Sequence, residues 1–573
     1  MKFGRVALAL AALFSSTAAQ AEGWLRVEGT KIVDDSGRPV ILRGMGLGGW
    51  MLQEGYMLKL GEVGQQHRIR AKLVELVGEE RTAEFYRAWL DNHTTEADIA
   101  QMAAWGFNSV RLPIHFDQLT LPADKETKAG TDTWHEEGFQ RIDKLLAWSK
   151  KHGLYLILDL HAAPGGQGND LAISDRDPAK PSLWESEENK RKTVALWTKL
   201  AARYKDEPWI GGYDLINEPN WSFATPGKGN GCDETESKAV WELQQRITAA
   251  IRGVDARHMI IVEGNCWGNN YKGLPPAWDA NMVLSFHKYW NRNDAASIAD
   301  IVKLRTSYNR PVWLGESGEN SNVWFRDAIA LVEGEGIGWN FWPLKKIGFN
   351  QPLEIAPGDG WMKIVAWATG KGPKPGAEEA FAAMMQLAEN SRFDKNIAKP
   401  DVIDAMFRQP RDASPKAFVE RKLGKAPTTI RAVDYDLGPA GVAYGDTVDA
   451  NYHVATGGER TPWNNGTTFR NDGVDIAREA DGTPYVADFV SGEWMRYAIE
   501  TAASGRWNAS VRVRSANGGR IALAGKEAAV APGIGWQNVA VGDLTIGGET
   551  DALILRAVDC SDCQVADIRL EPR

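Results

Sequence analysis

Between about residues 39 and 342 the chain repeats one pattern eight times. A short apolar run rich in β-branched or aromatic residues is followed by a longer stretch with apolar residues at three- and four-residue spacing. The runs lie at residues 40–43, 108–112, 155–160, 212–216, 259–262, 283–287, 312–315 and 338–342. Short, continuously apolar runs read as strands buried on both faces, and segments such as 96–105, 136–151, 185–204, 238–251 and 323–333 read as amphipathic helices. Strands separated by helices run parallel, and eight such units predict a closed (β/α)8 barrel of the α/β class. A doubly wound open sheet is the alternative, but no Gly-x-Gly-x-x-Gly follows the first run.

The 573 residues, 43% hydrophobic and 25% charged, exclude a single small domain and a mainly disordered chain. Ahead of the barrel, residues 25–33 read as a hairpin closing its floor, and helical patterns at 377–387 and 402–407 complete its outer ring. Beyond residue 430 the texture changes to short alternating strands, at 494–500, 507–514, 538–541, 552–556 and 566–570, with Gly, Asn and Asp turns. That spacing predicts an all-β sandwich. The expected organisation is a signal at 1–21, a barrel at 22–423, a linker at 424–429 and a sandwich at 430–573.

Lys2 and Arg5, the apolar run 6–14 and the small residues ending Ala19-Gln20-Ala21 have the layout of a cleavable secretory signal, which predicts a secreted or periplasmic protein. No segment approaches the ~20 apolar residues of a membrane span, so the expected product is soluble; a monomer is expected. A net charge of −9 gives no support to a nucleic-acid or membrane partner and suits a neutral or weakly charged ligand. Export places Cys232, Cys266, Cys560 and Cys563 where disulfides persist, and one pair per region is the simplest expectation. Cys560-x2-Cys563 as half of a zinc site is the alternative, but no second CxxC or HxxxH supplies two further ligands.

In such a barrel the active site forms where the strands' C-terminal ends meet the following loops. Read in order, those ends carry Arg111, His161, Asn217 with Glu218, His287 with Tyr289, Glu316, and Trp342. Two are carboxylates. A pair of carboxyl groups at roughly 5–5.5 Å, one protonated and one ionised, is what retaining glycoside hydrolysis requires. Arg111 beside one glutamate would keep it ionised, and like-charge repulsion would raise the pKa of the other. For either glutamate alone a buried ion pair is an equally good reading; six compatible strand ends favour the catalytic one.

The ordered set resembles glycoside hydrolase family 5, a family of retaining (β/α)8 glycosidases, over roughly residues 24–420. Tyr213-Asp214-Leu215-Ile216-Asn217-Glu218-Pro219 is similar to its Asn-Glu-Pro motif, and Val312-Trp313-Leu314-Gly315-Glu316 to its nucleophile strand. The resemblance implies Glu218 as acid/base, Glu316 as nucleophile, Asn217 as a contact to the sugar 2-hydroxyl and Arg111 as the support of the nucleophile. His161, His287, Tyr289 and Trp342 match the remaining sugar contacts. Two loops, Gly48-Gly49-Trp50-Met51-Leu52-Gln53-Glu54 and His161-Ala162-Ala163-Pro164-Gly165-Gly166-Gln167, resemble exo-acting β-1,3-glucanases of the family, which implies that Glu54 grips the non-reducing-end glucose. Other members cut β-1,4-glucan, mannan, xylan or glycolipids. A polysaccharide or oligosaccharide substrate is thus expected, with no metal or organic cofactor. A non-catalytic sugar-binding protein on a degenerate barrel is the rival.

Aromatic rings offer flat apolar surface to sugar C–H faces, and the chain has 24 Trp against 17 Phe and 13 Tyr. Trp50, Trp221, Trp267, Trp290 and Trp342, at or just after strand ends, are expected in the cleft wall. Trp89, Trp105, Trp148 and Trp197, in helical patterns, are expected to pack in the core, and His115 and His152 to be surface or core residues. Gly473-Val474-Asp475-Ile476, Gly492-Glu493-Trp494-Met495-Arg496-Tyr497 and Gly533-Ile534-Gly535-Trp536-Gln537 are similar to the strand-turn texture of family 6 carbohydrate-binding modules, and that resemblance of residues 430–573 implies a loop cleft with Trp536 as its aromatic; a purely structural β-domain is the alternative. Val433 stands where that family has a calcium-binding Glu.

Overall fold

The structure is a computed structural model and describes residues 23–289, 291–447, 469–501, 504–547 and 551–573. The signal segment, Trp290 and Trp463 lie outside the described residues. Strands β1 (Arg26–Glu28) and β2 (Lys31–Val33) form an antiparallel hairpin. Leu25 and Ile32 pack against Tyr155, Met259, Val283 and Trp313, at the N-terminal ends of barrel strands, so the hairpin plugs the floor.

Eight parallel strands follow: β3 (Arg43–Gly46), β4 (Ser109–His115), β5 (Tyr155–Ala162), β6 (Ile210–Asp214), β7 (Met259–Glu263), β8 (Met282–Lys288), β9 (Val312–Gly318) and β10 (Gly338–Trp342). Their order closes on itself, with β10 pairing both β9 and β3. All eight predicted runs mark barrel strands, but two are displaced. The first strand is Arg43–Gly46 rather than 40–43. A Cβ on Gly44 would lie 2.5 Å from Asn340 Oδ1, and one on Gly46 2.5 Å from the Trp342 ring. Crowding therefore demands glycines where β-propensity would not place a strand. The fourth is Ile210–Asp214 rather than 212–216, because the chain leaves the sheet after Asp214 to present the Asn217-Glu218 turn.

Helices such as Glu96–Trp105, Glu136–His152, Glu187–Tyr204, Lys238–Arg252 and Asn322–Gly334 ring the barrel. Glu96–Trp105 is started by a capping box between Thr95 and Asp98 and ended by left-handed Gly106. Trp89 and Trp197 are fully buried and Trp105 and Trp148 half-buried against the core, as their helical spacing predicts.

The C-terminal region is a sandwich of two antiparallel sheets around its own core. One contains Thr428–Arg431, Ile476–Arg478, Pro484–Phe489, Cys563–Pro572, Gly505–Ser515 and Gly533–Ile546; the other contains Tyr444–Gly445, Trp494–Ala498, Ala552–Cys560, Gly519–Leu523 and Lys526–Val530. Disulfides join Cys232 to Cys266 and Cys560 to Cys563. Among the described residues no helix is long and apolar enough to cross a membrane.

Candidate active site

Arg111 lies mid-strand in β4, fully buried, and its guanidinium organises the barrel's upper interior. Its Nη1 donates to Glu316 Oε2 at 2.7 Å. Nε and Nη2 donate to Asp214 Oδ2 at 3.0 and 2.9 Å, and Nη2 also reaches Asn217 Oδ1 at 2.8 Å and Glu263 Oε1 at 3.3 Å. One cation cannot neutralise so many carboxylates. Asp214, buried and repelled by Glu263 and Asp159, is accordingly raised well above the ordinary Asp range despite Arg111.

Glu218 follows β6 with φ 45°, in the left-handed region that a non-glycine residue adopts only where its surroundings impose it. Here the imposition comes from β7: the Glu218 backbone N–H donates to Glu263 Oε2 at 2.7 Å. Its side chain meets His287 Nδ1 through Oε1 at 2.6 Å, and His287 Nε2 lies 3.2 Å from Glu263 Oε1. Opposite, Glu316 takes Arg111 on Oε2 and the Tyr289 hydroxyl on Oε1 at 2.7 Å. One carboxylate oxygen each from Glu218 and Glu316 and a ring nitrogen of His287 lie within 4.8 Å of one another. That spacing would also suit a divalent cation, but these groups already have charged partners in Arg111 and Glu263.

The two glutamates differ in acidity. Burial raises Glu218 to about 7; Glu316 and Glu263 add to the rise, and His287 opposes it. Burial also penalises the charged form of Glu316, yet the positive charges of His287, Arg111 and His161, with the Tyr289 hydrogen bond, hold it below the usual Glu value. At neutral pH one is therefore half protonated while the other is ionised.

Above the pair opens a cavity of about 1080 Å³. Glu54, Tyr56, His161, Glu319 and Trp342 line it, as do Asp170, Trp267, Tyr271, Ile298, Ile301 and Leu304. His161 stacks on Trp342 at 5.0 Å with the planes 3° apart, and Trp342 Nε1 donates to Tyr56 Oη at 2.9 Å. His161 Nδ1 meets Asp159 Oδ2 at 2.7 Å and its Nε2 lies 3.6 Å from Glu54 Oε1. Burial raises Glu54 to about 7 against the opposing effect of His161.

Glu54, His161, Glu218, His287, Tyr289, Glu316 and Trp342 thus meet around one cavity, with Arg111 and Asn217 immediately beneath. Asn217 is fully buried and its Nδ2 has no partner among the described residues. Two expectations for the wall fail. Trp50 is 3% exposed within the hydrophobic core, its Nε1 donating to Leu90 O, because the loop after β3 folds inward over the barrel before Glu54 reaches the cavity. Trp221 is likewise buried, with Arg176 over its ring at 5.2 Å. Trp267 and Trp342 do line the cavity. His115 is a buried partner of Asp117 and Asp175, and His152 pairs with Glu96 at the surface. Sequence reasoning missed Asp159, Asp214, Glu263, Tyr56, Glu319 and Lys346. Glu263 was the most accessible of these, since it directly ends the run 259–262. In the sandwich, Trp536 packs beside Arg514, whose guanidinium lies 4.3 Å from the ring centroid, and donates to Glu479 Oε1 at 3.0 Å.

A family model for cellulase, glycosyl hydrolase family 5, matches residues 71–347. The chain is 30% identical over 378 residues to the β-xylosidase of Phanerodontia chrysosporium, covering 60% of this chain and 75% of that protein. It is 31% identical over 314 residues to the probable glucan 1,3-beta-glucosidase A of Emericella nidulans, covering 52% and 71%. It also matches endoglucanase C of Acetivibrio thermocellus, 30% identical over 207 residues, covering 36% of this chain and spanning about half of that relative, 53%. With this barrel and site the chain is a glycoside hydrolase. It belongs to glycosyl hydrolase family 5.

Proposed function

We propose that this is a secreted, monomeric retaining β-glycosidase that cleaves β-glucan. The observation that carries the reading is the pairing of a carboxyl raised to about 7, Glu218, with a depressed carboxylate, Glu316, whose oxygens approach within 4.8 Å. Separations near 5 Å leave no room for an attacking water between the carboxylates and suit direct attack on the sugar.

In this mechanism protonated Glu218 gives its proton to the glycosidic oxygen as the C1–O bond breaks, and ionised Glu316 attacks C1 through an oxocarbenium-like transition state. A glycosyl ester on Glu316 results. Glu218, now ionised, takes a proton from water, whose oxygen attacks C1 and releases Glu316. Arg111 and Tyr289 hold the nucleophile's two oxygens. Asn217 Nδ2 is the spare donor for a 2-hydroxyl, and Trp342, His161 and Glu54 bind the glucose at the non-reducing side. The choice of glucan rests on the endoglucanase and glucan glucosidase among the relatives. A xylosidase among them keeps xylan open, alongside mannan or a glycolipid. A non-catalytic sugar-binding role fits poorly with this acid/base pair. The N-terminal layout and the disulfides support secretion; the texture of the sandwich supports its use as a carbohydrate-binding module.

Product profiles over time on laminarin, lichenan, carboxymethylcellulose, xylan and mannan test the substrate, with glucose alone expected from a chain-end cutter. Purified Glu316→Gln retaining full activity on the preferred glucan would sink the mechanism.

A further inference from the structure

One turn of the sandwich, residues 470–473, is inserted among the barrel's loops rather than resting beside them. Asn471 supplies every polar group it has except one oxygen to that junction. Its backbone N–H donates to Asp401 Oδ2 at 2.8 Å, and its carbonyl accepts from Asn322 N at 2.7 Å. Its Nδ2 donates to Asn320 O at 2.8 Å and to Asn322 Oδ1 at 3.2 Å. Asp401 Oδ2 also takes Asn322 Nδ2 at 2.8 Å. Asn320, Asn322, Asp401 and Asn471 are all buried, at 0, 3, 2 and 4% exposure, where an unmade hydrogen bond is costly. Behind Asn471 the turn is tied into the sandwich. Arg470 stacks 3.7 Å over the Tyr435 ring and pairs with Asp472 at 2.6 Å.

The barrel segment held in this way is the one that leaves the nucleophile strand. Glu319 (φ 49°), immediately before Asn320, lies in the left-handed region, a conformation that a non-glycine residue keeps only where surrounding contacts over-determine it. Glu319 lines the cavity and pairs with Lys346, whose ammonium lies 5.2 Å from the Tyr56 ring centroid. Tyr56 in turn accepts the Trp342 indole N–H. The hydrogen bonds to Asn320, the backbone from Asn320 back to Glu319, the Glu319–Lys346 ion pair and the Lys346–Tyr56 contact thus link the appended domain to the active-site cavity.

We propose that Asn471 is a positioning residue of the active site: through Asn320 and Asn322 the sandwich fixes the Glu316–Asn322 loop, and so sets Glu319 and, through Lys346 behind it, Tyr56 in the sugar-binding wall. The C-terminal domain is then part of the glycosidase rather than a detachable appendage. The kinetic consequence rests on the glycosidase reading; the ordering of the loop does not.

Two full-length variants test it. Asn471→Ala removes both side-chain donations, and Asn471→Asp preserves shape while abolishing them. Tyr497→Phe, which deletes a comparable buried bond to Ala432 O inside the sandwich, is the control. In both Asn471 variants, amide exchange of peptides covering 317–323 should quicken at least tenfold while peptides from β5 and the sandwich core stay unchanged; Tyr497→Phe should leave the loop as it is. On p-nitrophenyl β-glucoside the Asn471 variants should raise KM about tenfold with kcat within about twofold. The same KM change should be absent when Glu319→Gln is already present. Unchanged loop exchange in both Asn471 variants overturns the proposal outright. Faster exchange with an unaltered KM, or a KM effect fully additive with Glu319→Gln, overturns the link to the cavity wall. Absence of hydrolysis of this glucoside by the wild type would count against the proposed glucoside substrate alone, and the exchange result would stand.

Discussion

Glu218 and Glu316 face each other across less than 5 Å, yet one is raised to about 7 and the other held below the usual Glu value. The difference arises from their neighbours. Both are buried, but His287, Arg111, His161 and the Tyr289 hydroxyl hold Glu316 ionised, whereas burial and two nearby carboxylates outweigh His287 at Glu218. Activity should need Glu218 protonated and Glu316 ionised, so kcat/KM should climb as Glu316 ionises in the acid range and fall as pH passes about 7. A pH–rate profile on an unactivated glucan checks this, and Glu218→Gln should abolish the basic limb together with most turnover. A profile that keeps rising through pH 8 would contradict the assignment of Glu218.

Glu54 reaches the cavity beside His161 without touching Glu218 or Glu316 through any hydrogen bond. Its expected part, above pH 7 where its carboxyl is ionised, is to accept hydroxyl protons from bound sugar, and hydrogen bonds to charged acceptors contribute about 1.5–3 kcal/mol. Glu54→Gln should therefore raise KM by roughly 10- to 100-fold while kcat changes little. Isothermal titration with a non-hydrolysable glucoside should show the same loss. A fall in kcat at constant KM would place Glu54 in the chemistry instead.

His115 and Asp175 form a buried pair that stabilises the loop carrying Asp170 and Ile173 to the cavity. Burial opposes the charge on Asp175, but hydrogen bonds from His115 and His67 lower it from 3.8 to about 2. That shift is worth about 2 kcal/mol, present above pH 3.8 and lost as pH falls through 2. Burial also opposes the charge on His115, but Asp117 and Asp175 raise it from 6.5 to about 10, so its contribution is full below 6.5 and lost as pH rises through 10. Asp175→Asn should lower stability most between pH 4 and 6.5 and least at the extremes, as read from urea midpoints across pH. A uniform loss at all pH values would show that charge is not the cause.

The barrel was legible because its strands are buried on both faces, which makes hydrophobic runs a direct record of the sheet. Catalytic polar residues were legible for a related reason: Arg111, Glu218, His287 and Glu316 interrupt or end those runs. What stayed hidden depends on loops. Tyr56, Glu319 and Lys346 come from three separate connections, and nothing in local periodicity says that they meet. Trp50 was misplaced because a tryptophan after a strand end looks the same in sequence whether its loop opens outward or folds over the barrel. Asn471 lies some 150 residues from the loop it holds, in a domain whose own pattern gives no hint of the junction.

Trp267 is presented to the cavity by an unusual turn, since Cys266 (φ 56°) and Trp267 (φ 53°) are both left-handed. Two features hold it there. The Cys232–Cys266 disulfide ties the turn to the preceding loop, and the Trp267 backbone N–H donates to Pro219 O at 3.1 Å. Closing a loop across a separation of 34 residues restricts the unfolded chain by about 4 kcal/mol, whereas the Cys560–Cys563 loop, a separation of 3, restricts it by only about 2. Cys232→Ser/Cys266→Ser should therefore cost more stability than Cys560→Ser/Cys563→Ser. It should also act on substrate binding, because the released turn is free to abandon two left-handed residues and withdraw Trp267 from the wall. The expected result is a KM for oligosaccharides raised about tenfold, matched by Trp267→Ala, and no further rise when Trp267→Ala is added to the double serine variant. If the double serine variant loses only stability and binds oligosaccharide as tightly as the wild type, the disulfide supports the fold without shaping the site.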